Sequence, residues 1–313
     1  MDGWRCPPPG ARRSERVQFH ESALMRDGTA SSQRVGDRVP ARRLLGQVVA
    51  AERLGSLVRL SLDVPGWSGA EPGQFALLQA EPSRCFLSRA VSVCDQMGEK
   101  VHFLIAPVGD GTRELGALDP GDAVRVTGPL GRGFDVDALA AGQGRTVLVA
   151  GGVGAAPFPL LLTRLAERHS AAGDTDPGPE VLVLLGFRDH DQSRGAKPLE
   201  EAALRAKAAG LRCTLEIATE DGSRGAVGKV TDLVERHLRP GDRLAVCGPE
   251  AMAAAVWRTC SRTPGVHTWF SLESNIACGV GSCHGCVVEL ADGSYARVCH
   301  EGPVFSGKEI FGG

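Results

Sequence analysis

Four cysteines near the C-terminus, Cys278, Cys283, Cys286 and Cys299, follow a C-x4-C-x2-C-x12-C spacing inside a glycine-rich run. Four thiolates on one short segment are the protein ligands of a [2Fe–2S] cluster, and wrapping two irons needs backbone that passes close by with no Cβ in the way. Gly279, Gly281 and Gly285 supply that freedom. The first three cysteines have the plant-type ferredoxin spacing, while the fourth follows sooner than in those ferredoxins. Structural zinc is the alternative, but zinc sites favour two C-x2-4-C knuckles and only Cys283/Cys286 reads as one. His284, inside the array, is read as a loop residue facing solvent. Single-electron transfer is the chemistry these residues imply.

A second constellation suits a dinucleotide. Thr146–Ala150 is a continuous apolar strand that runs into Gly151-Gly152-Val153-Gly154 and then a helical stretch from Phe158 to Arg168. A glycine turn between a buried strand and a helix presents backbone N–H groups to a pyrophosphate, although Gly-Gly-x-Gly also serves as a plain tight connection. Cys247-Gly248-Pro249-Glu250 ends a later strand of the same pattern, so it belongs at the same edge, where a nicotinamide could rest. Taken alone, Cys247 reads equally as a small buried residue at a strand end. Two further runs, Arg89-Ala90-Val91-Ser92 and Gly109-Asp110-Gly111-Thr112, combine a fixed cation, hydroxyls and a backbone cradle suited to phosphate or ribityl oxygens, or else are an ordinary strand and turn.

The elements that must position these residues fall into three modules. Short strand-like segments with regular turns, from Gln47–Ala50 to Ala123–Val126, predict a small antiparallel β-barrel over residues 44–140. Strands at Val181–Leu185, Cys213–Ile217 and Leu244–Cys247 alternate with helices at Leu199–Ala209 and Thr231–Leu238, with Thr231 as the N-cap of the latter. They predict an α/β parallel-sheet nucleotide-binding domain over 141–264. Residues 265–313 hold the cysteine array and two short strands, Val287–Leu290 and Ser294–Val298, a module too small to fold without its metal site. Residues 1–43, with nine arginines, five acidic residues and little apolar periodicity, are expected to be a disordered basic extension without the apolar core of a secretory signal.

Composition sets outer bounds. The chain has 313 residues, is 42% hydrophobic and carries a net charge of −2, which gives no global attraction to nucleic acid or anionic membrane. No apolar run approaches the roughly 20 residues of a membrane span. The six cysteines outside the array show no disulfide framework, which fits a reducing cytoplasm.

In this order the pieces resemble the ferredoxin reductase superfamily, and within it the electron-transfer subunits of class B dihydroorotate dehydrogenases. The resemblance spans about residues 44–305. It rests on Ser88–Ser92, Gly111-Thr112, Gly128–Phe134, Gly151–Pro157, Thr219–Gly225, Cys247–Glu250, Ser271-Leu272-Glu273 leading into the array, and Cys299–Phe305. It implies FAD on the barrel, held by Arg89, Ala90, Val91, Ser92, Ile105, Ala106, Pro107, Gly111 and Thr112. It implies NAD at the α/β edge near Gly151, Gly152, Gly154, Gly248 and Pro249, with Cys247 beside the nicotinamide. It also implies a [2Fe–2S] cluster facing an FMN-containing dihydroorotate dehydrogenase subunit in a heterotetramer. Electrons would pass from that partner through the cluster and FAD to NAD+. Two departures stand out: Ala90 replaces the usual proline, and the last cysteine gap is short. Related subunits serve ferredoxin:NADP reductases and sulfhydrogenases, which leaves a flavin and iron–sulfur diaphorase as the second reading and a non-redox zinc module as a remote one. Arg188 and Asp189 point in opposite directions on NAD against NADP. Elemental analysis of anaerobically isolated protein should return iron with acid-labile sulfide; zinc in their place would overturn the cluster.

Overall fold

A computed structural model describes residues 41–141, 144–171 and 180–312. Six antiparallel strands come first: β1 (Arg42–Leu54), β2 (Leu57–Asp63), β3 (Phe75–Glu81), β4 (Arg89–Met97), β5 (Lys100–Ile105) and, after the short helix α1 (Asp110–Gly116), β6 (Ala123–Leu130). They close into a barrel in the order β1-β2-β5-β4-β3-β6. Alternate residues such as Leu60, Leu62, Leu78, Val93, Phe103 and Val126 fill its interior with almost no exposure, as the two-residue period of a strand requires. The basic extension expected over 1–43 lies outside the described residues up to residue 40. Arg42 and Arg43 instead open β1, pairing with Gly128 and Thr127.

Helix α2 (Val136–Ala140) leads into an α/β layer made of β7 (Thr146–Gly151), α3 (Phe158–Ala171), β8 (Glu180–Phe187), α4 (His190–Ser193), α5 (Lys197–Ala208), β9 (Arg212–Thr219), β10 (Ala226–Val227), α6 (Val230–His237), β11 (Arg243–Cys247) and α7 (Glu250–Cys260). The apolar run of β7 is buried on both faces because helices cover both: α3 and α5 pack on one side, α6 and α7 on the other. Leu160 of α3 also packs with the barrel core, so the two lobes share a wall. Lysine 229, rather than Thr231, is the N-cap of α6. The Asp232 carboxylate accepts the Lys229 N–H at 2.8 Å, and Thr231 lies inside the first turn.

The C-terminal segment differs most from expectation. Its strand β12 (His267–Ser271) pairs in parallel with β11, and β15 (Val304–Ser306) pairs antiparallel with β12, extending the sheet to the order β10-β9-β8-β7-β11-β12-β15. Between them lie the hairpin β13 (Val287–Glu289) and β14 (Tyr295–Arg297), and after them the final helix α8 (Gly307–Phe311). The cysteine segment is therefore an excursion out of the nucleotide sheet, tied at both ends, and does not have to fold as a free-standing module. Strand β12 has a weak sequence signal because only five residues carry it and the excursion separates it from its partner β15.

At the edge of the sheet away from the glycine turn, Arg145 and Asp242 form a buried pair, with Nε to Oδ1 at 2.9 Å and Nη2 to Oδ2 at 3.1 Å. Their side chains are 6% and 2% exposed, and Arg145 also donates to the His237 carbonyl. Removing Asp242 leaves the desolvated Arg145 with only the more exposed Glu180, at 3.5 Å, as counter-charge. Asp242→Ala should lower stability by about 3 kcal/mol or more, read as a shift of the denaturant midpoint; an unchanged midpoint would contradict this role.

Candidate redox site

The four cysteines all lie in the excursion between β12 and β15. Cys278 lies beside Cys283, and the buried Cys286 and Cys299 are adjacent, with the Cys299 N–H 3.4 Å from the Cys286 sulfur. Among the described residues no three His, Cys, Asp or Glu side chains converge as a single-ion site. The sulfurs instead stand as two pairs, and two thiolates for each of two irons is the protein share of a [2Fe–2S] cluster. Backbone geometry serves the same end. Gly279 and Gly281 have φ of 71° and 82°, and His284 is the one non-glycine among the described residues with positive φ, at 56°. Burial opposes ionisation of Cys278, but the N–H groups of Cys283, Val280 and Ser282 outweigh it and bring the thiol down to about 6. Burial, then the neighbouring Cys286, pushes Cys299 up to about 12. The N–H groups around Cys278 fit a thiolate that ligates a cluster.

Two supports hold this segment. A Cβ on Gly279 would come within 2.9 Å of both Leu77 and Leu130, so the cysteine loop lies directly on barrel strands β3 and β6. Arg297 donates to the Gly281 carbonyl at 3.1 Å and is itself gripped by Glu301 at 2.5 Å. That hydrogen bond from Arg297 is the main reason the Glu301 carboxyl falls to about 2.

On the barrel, the Arg89 guanidinium lies over Gly111, where a Cβ would sit 2.4 Å from its Nε. The strand and the turn that the sequence singled out are thus one surface. The hydroxyl of Thr112 accepts from the Val108 and Gly109 N–H groups at 3.1 and 3.0 Å, so it closes the turn. Side chains of Val91 and Ile105 point into the barrel core, which leaves them only main-chain contact with a ligand, whereas Ala90, Ser92, Ala106 and Pro107 are at least partly accessible. The Arg89–Gly111 surface, with backbone groups beside a fixed cation, fits a flavin's phosphates.

Between the lobes is a cavity of about 740 Å³. Gly151, Gly152 and Val153 form one wall, Pro249 and Met252 another, and Leu57 and Ala106 of the barrel close it. Close approach explains the glycines. A Cβ on Gly154 would meet the Cys247 carbonyl at 2.3 Å, and one on Gly248 would meet the Gly151 nitrogen at 3.0 Å, whereas Gly152, with φ of 56°, borders open space. An anionic dinucleotide fits this turn, which carries no side chain at Gly152 and borders open space there. Cys247 is buried and does not line the cavity. Burial, then the charge of Glu273, pushes its thiol up to about 12, against a hydrogen bond with Ser271.

Several lining residues were given no role in the sequence reading, Glu273 and Glu220 being quoted there only within motifs. Glu273 follows β12 and lines the cleft as a solvent-exposed residue, with its carboxyl raised by the desolvation its neighbours impose. Met252 belongs to α7, a helix whose signal was Pro249 followed by an acidic first turn. Lys229 and Glu220 reach the cavity only through the arrangement of strands.

A barrel with a cationic turn surface, a parallel sheet with a glycine edge and a two-pair cysteine loop define a ferredoxin-reductase-type flavin and iron–sulfur electron-transfer protein. The family model for the iron–sulfur cluster binding domain of dihydroorotate dehydrogenase B matches residues 273–311, and an oxidoreductase NAD-binding domain matches 148–258. The chain is 34% identical over 272 residues to the dihydroorotate dehydrogenase B (NAD(+)) electron transfer subunit of Listeria monocytogenes, covering 86% of this chain and 97% of that one. It is 35% identical over 251 residues to the subunit of the same name from Clostridium acetobutylicum, with coverage of 80% and 89%. Among solved structures it is similar to a chain of an NADH-dependent reduced ferredoxin-NADP oxidoreductase (TM-score 0.69, 26% identity, coverage 85% and 89%). It shares its fold with the ferredoxin reductase of carbazole 1,9a-dioxygenase (TM-score 0.56, 22% identity, coverage 74% and 70%). The chain belongs to the family of dihydroorotate dehydrogenase B electron transfer subunits. With an iron–sulfur family model on the array, the zinc reading loses its support. No described helix is long and apolar enough to cross a membrane.

Gly111→Ala should push Arg89 off its surface. The expected outcome is protein purified with less than half its flavin, an effect of about 1 kcal/mol or more from losing one charged contact, while its iron content is unchanged. Full flavin occupancy would remove Arg89 and Gly111 from the site.

Proposed function

We propose that this chain is the electron-transfer subunit of a two-component dihydroorotate dehydrogenase, holding FAD on the barrel, a [2Fe–2S] cluster on its four cysteines and NAD in the inter-lobe cleft. Its partner is an FMN-containing subunit that oxidises dihydroorotate, in a heterotetramer of the reducing cytoplasm. The observation that carries this reading is the cysteine excursion, tied into the nucleotide sheet at both ends and seated on the barrel wall. When bound, the cluster carries electrons singly and the flavin pairs them for hydride exchange with the nicotinamide.

The chain's own residues have separable tasks. Cys278, Cys283, Cys286 and Cys299 ligate, while the N–H groups around Cys278 stabilise thiolate charge. Arg89 and the Gly111 turn orient the flavin phosphates. Gly151, Gly152 and Gly154 let the dinucleotide approach the backbone, and Leu57 and Ala106 exclude water from the barrel side of the cleft. Cys247, kept as a neutral thiol, packs behind the nicotinamide end without adding charge. Cys283 and Val280 are exposed, with Val287 and Tyr295 on the adjoining hairpin, so this apolar margin of the cluster loop is where the partner would dock.

The similarity to an NADH-dependent ferredoxin-NADP oxidoreductase chain favours one other reading, a diaphorase serving a different redox partner. Cys283→Ser should remove most of the iron, keep FAD and NADH-to-dye reduction, and abolish dihydroorotate-dependent NADH formation when the FMN subunit is added. Wild-type chain that supports no such coupling, yet reduces dye with NADH, would leave the diaphorase reading in its place.

A further inference from the structure

An ion pair straddles the last cysteine of the array. Arg297 ends β14 two residues before Cys299, and Glu301 follows two residues after it. The Glu301 carboxylate accepts from the Arg297 backbone N–H at 2.7 Å, from its Nε at 3.0 Å and from its Nη2 at 2.5 Å, while the Glu301 N–H donates to the Arg297 carbonyl at 2.9 Å. His300 Nδ1 meets the same carboxylate at 2.9 Å. A carboxylate engaged in this way fixes the guanidinium plane and turns Nη1 toward the other arm of the cysteine loop. There Nη1 donates to the Gly281 carbonyl at 3.1 Å.

The Gly281 carbonyl and the Ser282 N–H belong to one peptide unit, and the Ser282 N–H is among the donors to the Cys278 sulfur. Guanidinium, amide and sulfur therefore form one chain of hydrogen bonds. In such a chain a charge-assisted bond to the carbonyl polarises the N–H on the far side of the same amide. The Gly281 N–H reaches the Cys299 sulfur as well. The Glu301 hydrogen bond is the main reason the guanidinium is held above the usual arginine range, and the charges of Cys299 and Cys286 add to it. One cation is in this way connected to three of the four array sulfurs. Positive charge and N–H donors at the sulfurs of an iron–sulfur centre favour its reduced, more negative state and raise its potential. With the two side chains 32% and 33% exposed, solvent weakens this effect without cancelling it.

Resting on the four-cysteine cluster reading above, we propose that Arg297 is a positioning residue for electron transfer: held by Glu301, it acts through the Gly281–Ser282 peptide on the Cys278 ligand and raises the reduction potential of the centre that the cysteines bind. Potentiometric titration of the anaerobically purified holoprotein at fixed pH tests it, with the reduced centre followed by electron paramagnetic resonance and the flavin by its visible band. Arg297→Gln removes the cation and leaves the Glu301 charge beside the loop. The reduced signal should then appear at lower potential, by about threefold or more in the one-electron equilibrium, which is about 28 mV. Glu301→Gln keeps an amide oxygen for Arg297 and removes the opposing charge, so its shift should have the opposite sign. The flavin potential should move in neither variant. A pair that only closed the turn would lower iron per chain in both variants and leave the potential of loaded protein unchanged, or shift it in the same direction in both; either result would overturn the proposal. If Arg297→Gln binds no iron, the sign of the shift in Glu301→Gln decides alone. Wild-type holoprotein without iron and labile sulfide would overturn the cluster reading beneath the proposal, and the proposal with it.

Discussion

Contact between the cysteine loop and the barrel wall is the constraint on which the rest of the molecule depends. Electron transfer requires the cluster and the flavin surface to keep a fixed separation, and a loop of about thirty residues held only by its own turns would not provide that. The chain meets this by leaving the nucleotide sheet at β12, crossing to the barrel, and returning at β15 beside the strand it left. Leu272 donates to the Pro303 carbonyl at 2.9 Å where the two limbs meet, and Arg132, just past β6, donates to the Gly302 carbonyl at 2.6 Å. Phe75, Leu77 and Leu130 of the barrel share one apolar cluster with Cys286, Val288, Val298 and Cys299. Three modules are in this way fastened at one corner.

The same economy governs the cleft. Its chemistry lies at the carboxyl ends of β7 and β11, where Gly151, Gly154 and Gly248 let two strand ends and a turn approach more closely than any side chain would allow. The opposite ends of these strands carry stability, through the buried Arg145–Asp242 pair. Between the lobes, Arg59 of β2 joins Glu52 and Glu201 at 2.5 Å each, and Arg205 reaches Asp95 at 2.5 Å, so charged contacts tie α5 to the barrel beside the cleft. Partly exposed pairs of this kind contribute modestly each but act as a network.

Much of this was legible in the residues. All six barrel strands, β7, β8, β9, β11 and the helices α3, α5 and α6 follow from period-two and period-3.6 patterns bounded by glycine and proline, because local backbone preference and burial agree there. The cysteine spacing named the cluster because ligand number and glycine content are properties of the chain itself. By contrast, Thr231 carries the right chemistry for a cap, but Lys229 occupies the position because Asp232 turns back onto its N–H. Strand β12 and helix α7 were passed over, so Met252 went unnoticed and Glu273, quoted only within a motif, was given no place in the cleft.

What the sequence alone determined is the set of local devices: strands, glycine turns and four ligating sulfurs, each set by residues near one another in the chain. Tertiary structure decided which of them meet. Arg89 and Gly111 become one surface only when the barrel closes, and Arg188 comes beside Glu220 only when β8 and β9 align in register. The cysteine loop becomes an excursion of the nucleotide sheet only when β15 finds β12. The physical reason is the same in each case: pairings between distant residues are fixed by register and packing, which no local pattern encodes.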